Sequence, residues 1–207
     1  MKHLEQVGNY YSDRIGRFGP TARGVDWNGT EGQLARFTRF NQLFERVPGP
    51  LSLIDYGCGY GELYSFLTSR FEINSYAGVD VSPAMLEAAR SVFCDDAHVV
   101  LSENLGAVAP AACVVASGTY NVKLTASSRD WSDYVVDDLK ALWGKATFGM
   151  SVNFLSEFSE VGKRQGKLFY ASPQKIMSLL LKEFSPLVNL DHSYSPWEFT
   201  ATIFREV

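Results

Sequence analysis

The chain has 207 residues, of which 46% are hydrophobic and 20% charged, and its formal net charge is −4. A chain of this length and composition can build one α/β domain with a substantial core. The excess of acidic residues argues against duplex nucleic acid as a partner, because such a partner requires many Lys and Arg contacts to phosphate.

The sequence shows no sign of membrane insertion or of a metal centre. Its longest apolar runs, residues 111–116 and 176–181, are far too short to cross a bilayer, and its first residues lack the apolar core of a signal peptide. We therefore expect a cytoplasmic protein. The three cysteines, Cys58, Cys94 and Cys113, have unrelated spacings and no clustered histidines, so we expect neither disulfides nor a bound metal.

The patterns along the chain predict one domain over residues 1–207, with a helical extension at 1–50 and the core at 51–207. Residues 30–33, Thr-Glu-Gly-Gln, have the form of a capping box at a helix start. Apolar residues follow at helical spacing over 34–44, and the sequence Pro-Gly-Pro then ends the predicted helix.

A predicted strand at residues 51–56 runs directly into a glycine-rich turn. Asp55 closes the apolar run, and Gly57, Gly59 and Gly61 follow at alternate positions before a helical pattern. The missing side chains let a ligand approach the backbone, and the next helix offers unpaired N–H groups at its start. This pattern predicts a nucleotide-binding turn, although glycines also serve ordinary loops.

A second predicted strand, residues 76–81, also ends in an acid, Asp80. In a Rossmann-like sheet, an acid about 20 residues beyond the glycines holds the two ribose hydroxyls of an adenosine. Ser82 is then predicted to cap a helix at 83–93, which carries Met85 on its apolar face.

Together the two segments resemble the class I S-adenosylmethionine-dependent methyltransferases. Residues 55–61 resemble the first motif of that family, and residues 78–86 resemble its second. Dinucleotide-binding proteins favour G-x-G-x-x-G instead. The resemblance implies S-adenosyl-L-methionine as cofactor. It also implies a Rossmann-like seven-stranded, mostly parallel sheet in the order 3-2-1-4-5-7-6 with an antiparallel last strand.

The remaining patterns complete this α/β fold. We predict strands at 51–56, 76–81, 97–102, 112–117, 146–154, 186–192 and 197–205, and helices at 60–70, 83–93, 131–143 and 173–184. Residues 104–110 leave almost no room for a helix between the third and fourth strands. We therefore expect a turn in place of that crossover helix.

The resemblance implies cofactor-binding residues after each of the first four strands. They are Asp55, Gly57, Cys58, Gly59, Gly61, Asp80, Val81, Ser82, Met85, Glu103, Asn104 and Ser117. In the family, the acid at the position of Glu103 approaches the adenine amine, so Glu103, Asn104 and Leu105 form the predicted adenine site. The alternative is that Glu103 is an ordinary solvated acid at a strand end.

The tip of the fourth strand faces the methyl donor in the family, so the residues after it border the reaction. Enzymes of this fold that methylate base amino groups carry Asp/Asn-Pro-Pro-Tyr here, whereas this chain has Ser-Gly-Thr-Tyr at 117–120. The difference argues against base methylation. Asn121 and Tyr120 remain as polar groups near the acceptor, and the alternative for Asn121 is a turn-forming amide.

The later segments are similar to a subfamily of small bacterial methyltransferases that often lie in gene clusters for surface polysaccharides. Residues 24–28, 120–124, 148–155 and 168–173 carry this resemblance. It implies a small hydroxylated acceptor, sugar-like or a glycan precursor, as the partner. Rivals are a protein or peptide methyltransferase and a cofactor-binding domain without catalysis.

Transfer to a hydroxyl requires removal of a proton. His192 falls in the turn between the last two predicted strands and is a candidate base, with Tyr194 as a second catalytic candidate beside Asn121. Relatives read His-Asp-Tyr where this chain reads His-Ser-Tyr, so a His–Asp relay is absent from the motif. The alternative is that His192 is an exposed turn residue. Asn153 and Tyr170 are candidates for positioning the acceptor.

Overall fold

The computed structural model describes residues 2–27, 29–93 and 96–205, so Asn28 and Cys94 lie outside the described residues. Within these ranges the chain forms six α-helices and seven strands. The helices are α1 (Lys2–Phe18), α2 (Thr30–Phe44), α3 (Glu62–Thr68), α4 (Pro83–Phe93), α5 (Ser128–Lys145) and α6 (Pro173–Glu183). The strands are β1 (Leu51–Tyr56), β2 (Ile73–Val79), β3 (Val99–Ser102), β4 (Ala111–Ser117), β5 (Ala146–Leu155), β6 (Val188–Asp191) and β7 (Glu198–Phe204).

The strands form one sheet in the order β3-β2-β1-β4-β5-β7-β6. Neighbouring strands from β3 to β5 are parallel, and β7 runs antiparallel to both β5 and β6. The predicted fold class is therefore confirmed, including the helical N-terminal extension. Because parallel strands point the same way, the carboxyl ends of β1, β2 and β4 meet at one edge, where ligands bind in open α/β sheets.

Helices cover both faces of the sheet, which explains why its inner strands are almost continuously apolar. Apolar side chains of α5 and α6, such as Trp131 and Leu180, pack on one face. Those of α2, α3 and α4, such as Phe40 and Leu67, pack on the other. Burial of each such side chain contributes about 1.5–3 kcal/mol. The two apolar layers hold the strand ends in fixed positions.

The start of α2 corrects one prediction. Gly29 occupies the N-cap position, Thr30 is already the first helical residue, and no side chain caps the helix. The predicted capping box is therefore wrong, because a residue with helical backbone geometry is not placed to accept from the N–H groups of its own first turn.

Two further features concern the shape of the core. The expected short crossover between β3 and β4 is a single 3₁₀ turn, Leu105–Ala107. The second strand begins three residues earlier than predicted and ends at Val79, so Asp80 lies immediately after it. Among the helices in the described ranges, none is long and apolar enough to cross a bilayer.

Candidate active site

The turn after β1 is built around left-handed backbone positions. Gly57 and Gly59 have φ values of +77° and +56°. A side chain on Gly57 would also collide with Thr119, whose Oγ1 lies 2.5 Å from the position of the added Cβ. The equivalent Cβ on Gly59 would lie 3.0 Å from Cγ1 of Val25. Both the conformation and the available space therefore require glycine at these positions.

Asp80 connects this turn to the next helix. Its carboxylate accepts hydrogen bonds from the backbone N–H of Gly59 at 2.9 Å and of Ser82 at 2.8 Å. Burial raises the pKa of Asp80 to about 6, and the two N–H donors oppose that shift. The predicted acid after β2 thus also holds the glycine turn in place.

Asp55 is the more deeply buried of the two acids, with 2% of its surface exposed. It accepts a hydrogen bond from the Tyr76 hydroxyl at 2.6 Å. Burial raises the pKa of Asp55 to about 7, the Tyr76 hydroxyl lowers it, and the charge of Asp80 raises it further. Two buried carboxylates with raised pKa values in one cleft are typical of a functional site.

Asp55 and Asp80 line a first cavity of about 460 Å³, and this volume is within the usual range for a small-ligand site. Ten of the twelve predicted cofactor residues line it: Asp55, Gly57, Cys58, Gly59, Asp80, Val81, Met85, Glu103, Asn104 and Ser117. Leu4, Val7 and Tyr11 of α1 contribute further lining. The N-terminal helix therefore forms part of the wall of the first cavity.

The other two predicted cofactor residues, Gly61 and Ser82, lie behind the lining. A Cβ on Gly61 would lie 2.0 Å from the Phe93 ring, so this glycine allows α3 and α4 to approach each other. The Ser82 hydroxyl accepts from the Met85 N–H at 3.2 Å, which confirms the predicted cap of α4. It also lies 2.8 Å from the Ser12 hydroxyl and so joins α1 to α4.

The predicted adenine end of the first cavity is more open. Glu103 and Asn104 are exposed where they line it. The Asn104 side chain accepts from the Gly106 N–H at 2.8 Å and so shapes the 3₁₀ turn. The adenine role of Glu103 stays a prediction, and its reading as a solvated acid stays open.

A second cavity, of about 930 Å³, lies beside the first. Four residues line both cavities: Tyr11, Val25, Trp27 and Gly118. Trp27 is central to this shared wall, because a Cβ on Gly118 would lie only 2.3 Å from the edge of its indole. The Arg36 guanidinium lies 3.6 Å from the centroid of the same indole, a cation–π contact.

Asn121 follows Gly118 and carries an unused donor. It is 5% exposed, and its Oδ1 accepts from the Leu155 N–H at 3.1 Å. Within the described part of the chain, its Nδ2 is buried and has no hydrogen-bond partner. That nitrogen lies 3.1 Å from the Cβ position of Gly118, beside the shared wall. A buried unpaired donor that lines a cavity is unusual in a native structure and suits a polar ligand atom.

The two remaining catalytic candidates lie in different surroundings. Tyr194 lines the second cavity, and its hydroxyl lies 2.8 Å from both Thr200 Oγ1 and Asn153 Nδ2. Burial raises the pKa of Tyr194, which disfavours proton removal by its hydroxyl. His192 lies against Ser156, with its Nε2 2.8 Å from the Ser156 hydroxyl. It does not belong to the lining of either cavity, so its role as a base stays a prediction without support from this placement.

The sequence reasoning missed two polar contacts of the site. Tyr76 was not expected beneath Asp55, because the sequence does not show which side chains of paired strands meet. The ion pair between Arg36 and Glu198 joins residues 162 positions apart. One signal was available, since Gln33 and Arg36 fall on the same helical stripe as the buried Phe37 of α2.

Comparisons with known proteins identify the class. Residues 54–116 match the protein-family model described as a methyltransferase domain. The chain is 34% identical over 154 residues to Rv1506c of Mycobacterium tuberculosis, a protein that carries a methyltransferase name. That alignment covers 74% of this chain and 93% of the relative. The chain therefore belongs to the class I S-adenosylmethionine-dependent methyltransferases, and S-adenosyl-L-methionine is its cofactor.

Solved structures agree on the fold. The magnesium protoporphyrin IX methyltransferase of Synechocystis PCC 6803, with bound S-adenosylhomocysteine, gives a TM-score of 0.65 at 15% identity and covers 99% of this chain and 100% of its own. The [4+2]-cyclase SpnF gives 0.65 at 15% identity, with coverages of 99% and 96%. At such low identity the similarity shows the fold alone.

The residues of the first cavity fit the cofactor. The glycine turn lets a ligand lie against the backbone, and the buried carboxylates of Asp55 and Asp80 can accept from the amino group and hydroxyls that S-adenosylmethionine carries. When bound, this cofactor supplies a methyl group on a sulfonium that is already activated for transfer. The chain's own task is then to hold, align and shield.

Proposed function

We propose that this methyltransferase transfers a methyl group to a hydroxyl oxygen of a small, sugar-like acceptor held in the second cavity. The observation that carries the proposal is the wall of Tyr11, Val25, Trp27 and Gly118 that the two cavities share. Methyl transfer requires donor and acceptor atoms to meet in line at a short distance. A shared wall at the tip of β4 is where such a meeting can occur.

The residues around this wall can align the acceptor and exclude water. The unpaired Nδ2 of Asn121 can donate to an acceptor oxygen, which would satisfy a buried group that otherwise destabilises the fold. Tyr11 and Trp27 place aromatic surface beside both cavities, where it limits the entry of water. None of these roles requires a basic side chain. The residues therefore contribute mainly by aligning the acceptor.

The charge around the second cavity favours a neutral acceptor over an anionic one. Asp26 accepts from both Arg14, at 3.0 Å, and Lys167, at 3.3 Å. Arg36 is paired with Glu198, and Lys163 lies 3.0 Å from Glu160. The cationic side chains that line this cavity are thus matched by carboxylates. Hydroxyl groups can bind among such pairs without an added net charge.

The lining also contains aromatic side chains between its polar groups, namely Tyr11, Trp27, Tyr170, Tyr194 and Trp197. Ligand sites combine apolar walls with a few polar groups that fix orientation. The ring faces of a sugar are apolar and its edges are hydroxylated, so it matches this mixture. The cavity volume of about 930 Å³ accommodates one or two sugar rings.

A methyl-transfer assay tests the proposal. Purified protein with radiolabelled S-adenosylmethionine is incubated with a panel of small neutral glycosides, small carboxylic acids and unstructured peptides. We expect label in a hydroxylated sugar and none in the other classes. Label in peptides alone would favour a protein methyltransferase. Cofactor binding without transfer to any class would favour a binding domain without catalysis.

The role of Asn121 is tested with an Asn121→Asp variant, which is compared with the wild-type protein. It keeps the size of the side chain and its Oδ1 acceptor, but it replaces the unpaired donor with an acceptor. We expect unchanged cofactor affinity and a loss of methyl transfer of roughly tenfold or more, the effect of one hydrogen bond to an aligned group. Equal rates for the two proteins would remove Asn121 from acceptor alignment.

A further inference from the structure

Glu198 is a buried carboxylate of the second cavity that no predicted role includes. It is the first residue of β7, it pairs with Leu155 of β5, and 7% of its surface is exposed. Its side chain lines the second cavity. Leu155 also donates its N–H to Asn121, so Glu198 and Asn121 lie on either side of the same β5 residue.

Two groups hold one oxygen of this carboxylate, and two more hold its partner Arg36 in place. Oε2 of Glu198 accepts from Nε of Arg36, and Nδ2 of Asn153 lies 3.4 Å from the same oxygen. Arg36 is fixed in turn by its bond to the Gly32 carbonyl at 2.8 Å and by the Trp27 ring. The carboxylate is therefore rigidly oriented beside a guanidinium, as a preorganised binding group requires.

The other oxygen is not used by the protein. Oε1 of Glu198 receives no hydrogen bond from the residues that the structure describes, and it is not among the fully enclosed unpaired atoms. Because an ionised carboxylate only accepts hydrogen bonds, a ligand group that meets Oε1 must be a donor. Asn121 offers the opposite function, since its free Nδ2 only donates.

We infer that Glu198 is a recognition residue for the hydroxyl groups of the acceptor, with Oε1 accepting from an acceptor O–H while Arg36 orients the carboxylate. The inference rests on the proposed function and specifies its ligand as a polyol. A hydroxyl group both donates and accepts, so neighbouring hydroxyls of one sugar ring can satisfy Glu198 and Asn121 together. A carboxylic acid, ionised at neutral pH, would be repelled by Glu198.

A purely structural role is the competing explanation. The ion pair between Arg36 and Glu198 joins α2 to β7. A buried ion pair can have the sole role of connecting two elements of the fold. Removing one partner then destabilises the fold, so Glu198→Ala is a poor test. Glu198→Gln keeps the shape and one acceptor oxygen for Arg36, but it replaces the ionised acceptor with an amide.

The experiment uses methyl α-D-glucopyranoside as the probe and ligand-detected NMR titration with S-adenosylhomocysteine present. We expect millimolar binding to the wild-type protein and a loss of roughly 10- to 100-fold in Glu198→Gln, the effect of a hydrogen bond to a charged group. Glu87→Gln is the matched control, because Glu87 is an exposed glutamate of α4 that lines neither cavity. Its affinity should stay within twofold of wild type.

S-adenosylhomocysteine titration and thermal unfolding of each variant identify loss of the fold. Should Glu198→Gln fail to fold, Glu198→Asp replaces it, and its shorter reach should also weaken the glycoside by about tenfold. Equal glycoside binding by wild type and a folded Glu198 variant would overturn the inference, and so would no binding by wild type. Neither result decides whether the protein methylates a hydroxyl group, because the methyl-transfer assay measures that separately.

Discussion

Replacement of Asp55 by asparagine tests whether burial of this carboxyl group destabilises the folded protein as the pH rises. In the folded protein the pKa of Asp55 is raised from 3.8 to about 7. An acid with a raised pKa stabilises the fold only while it is protonated. Its contribution is complete below about pH 4 and is lost progressively as the pH rises to 7. The amide of the Asp55→Asn variant would keep an acceptor for the Tyr76 hydroxyl and carry no charge.

The expected magnitude follows from the shift. Between pH 5 and pH 8 the unfolded chain is already ionised at this position, while the folded protein loses its proton near pH 7. At about 1.4 kcal/mol for each pH unit, the wild type should lose about 2–3 kcal/mol relative to the variant over this interval. Asp80, whose pKa is raised to about 6, titrates in both proteins, so only its coupling to Asp55 remains in the difference.

The assay is urea unfolding without cofactor, at pH 5 and pH 8, for wild type and Asp55→Asn. Tyr76→Phe is the control, because it removes the hydroxyl that lowers the pKa of Asp55 and should move the loss of stability to higher pH. A stability difference that is independent of pH, or that favours wild type more at pH 8, would refute the reasoning. We also expect Asp55→Asn to bind S-adenosylmethionine at least tenfold more weakly. The variant would then gain stability and lose function.

Three further substitutions test other parts of the site. Gly59→Val should abolish cofactor binding while the far-UV dichroism stays native, because the turn is left-handed and Val25 fills the space; tight binding would mean that the turn is placed wrongly. Gly118→Ala should displace the indole of Trp27 and change tryptophan fluorescence, whereas Gly16→Ala, where an added Cβ meets nothing within 4 Å, should not. His192→Ala should keep more than a third of the methyl-transfer rate on an identified acceptor, because His192 lines neither cavity; a loss above 100-fold would identify it as the base.

Local patterns in the sequence predicted the parts of the fold that depend on neighbouring residues. The glycine turn, the cap of Ser82 on α4 and the short crossover after β3 all follow from residue types within a few positions of each other. The strand order came from resemblance to a family, because periodicity does not show which strands pair. The capping box at Thr30 failed because Gly29 took the N-cap position.

The candidate site was predictable where ligand contacts come from strand ends. Asp55 and Asp80 were found because the carboxyl ends of adjacent parallel strands must meet. The pairing of Arg36 with Glu198 was not predictable, because it joins a helix of the extension to the last strand and depends on the packed fold. The placement of His192 against Ser156 depends equally on side-chain direction in a turn.

Calorimetric titration with S-adenosylmethionine tests the central claim most directly, since the first cavity must bind this cofactor through Asp80. The wild type and Asp133→Ala, an exposed control on α5, should bind one equivalent with the same affinity. Asp80→Ala, checked by dichroism for a native fold, should bind about 30- to 1,000-fold more weakly, because it loses charge-assisted hydrogen bonds of roughly 2–4 kcal/mol. Absence of binding to the folded wild type, or an Asp80→Ala affinity within threefold of it, would contradict the account.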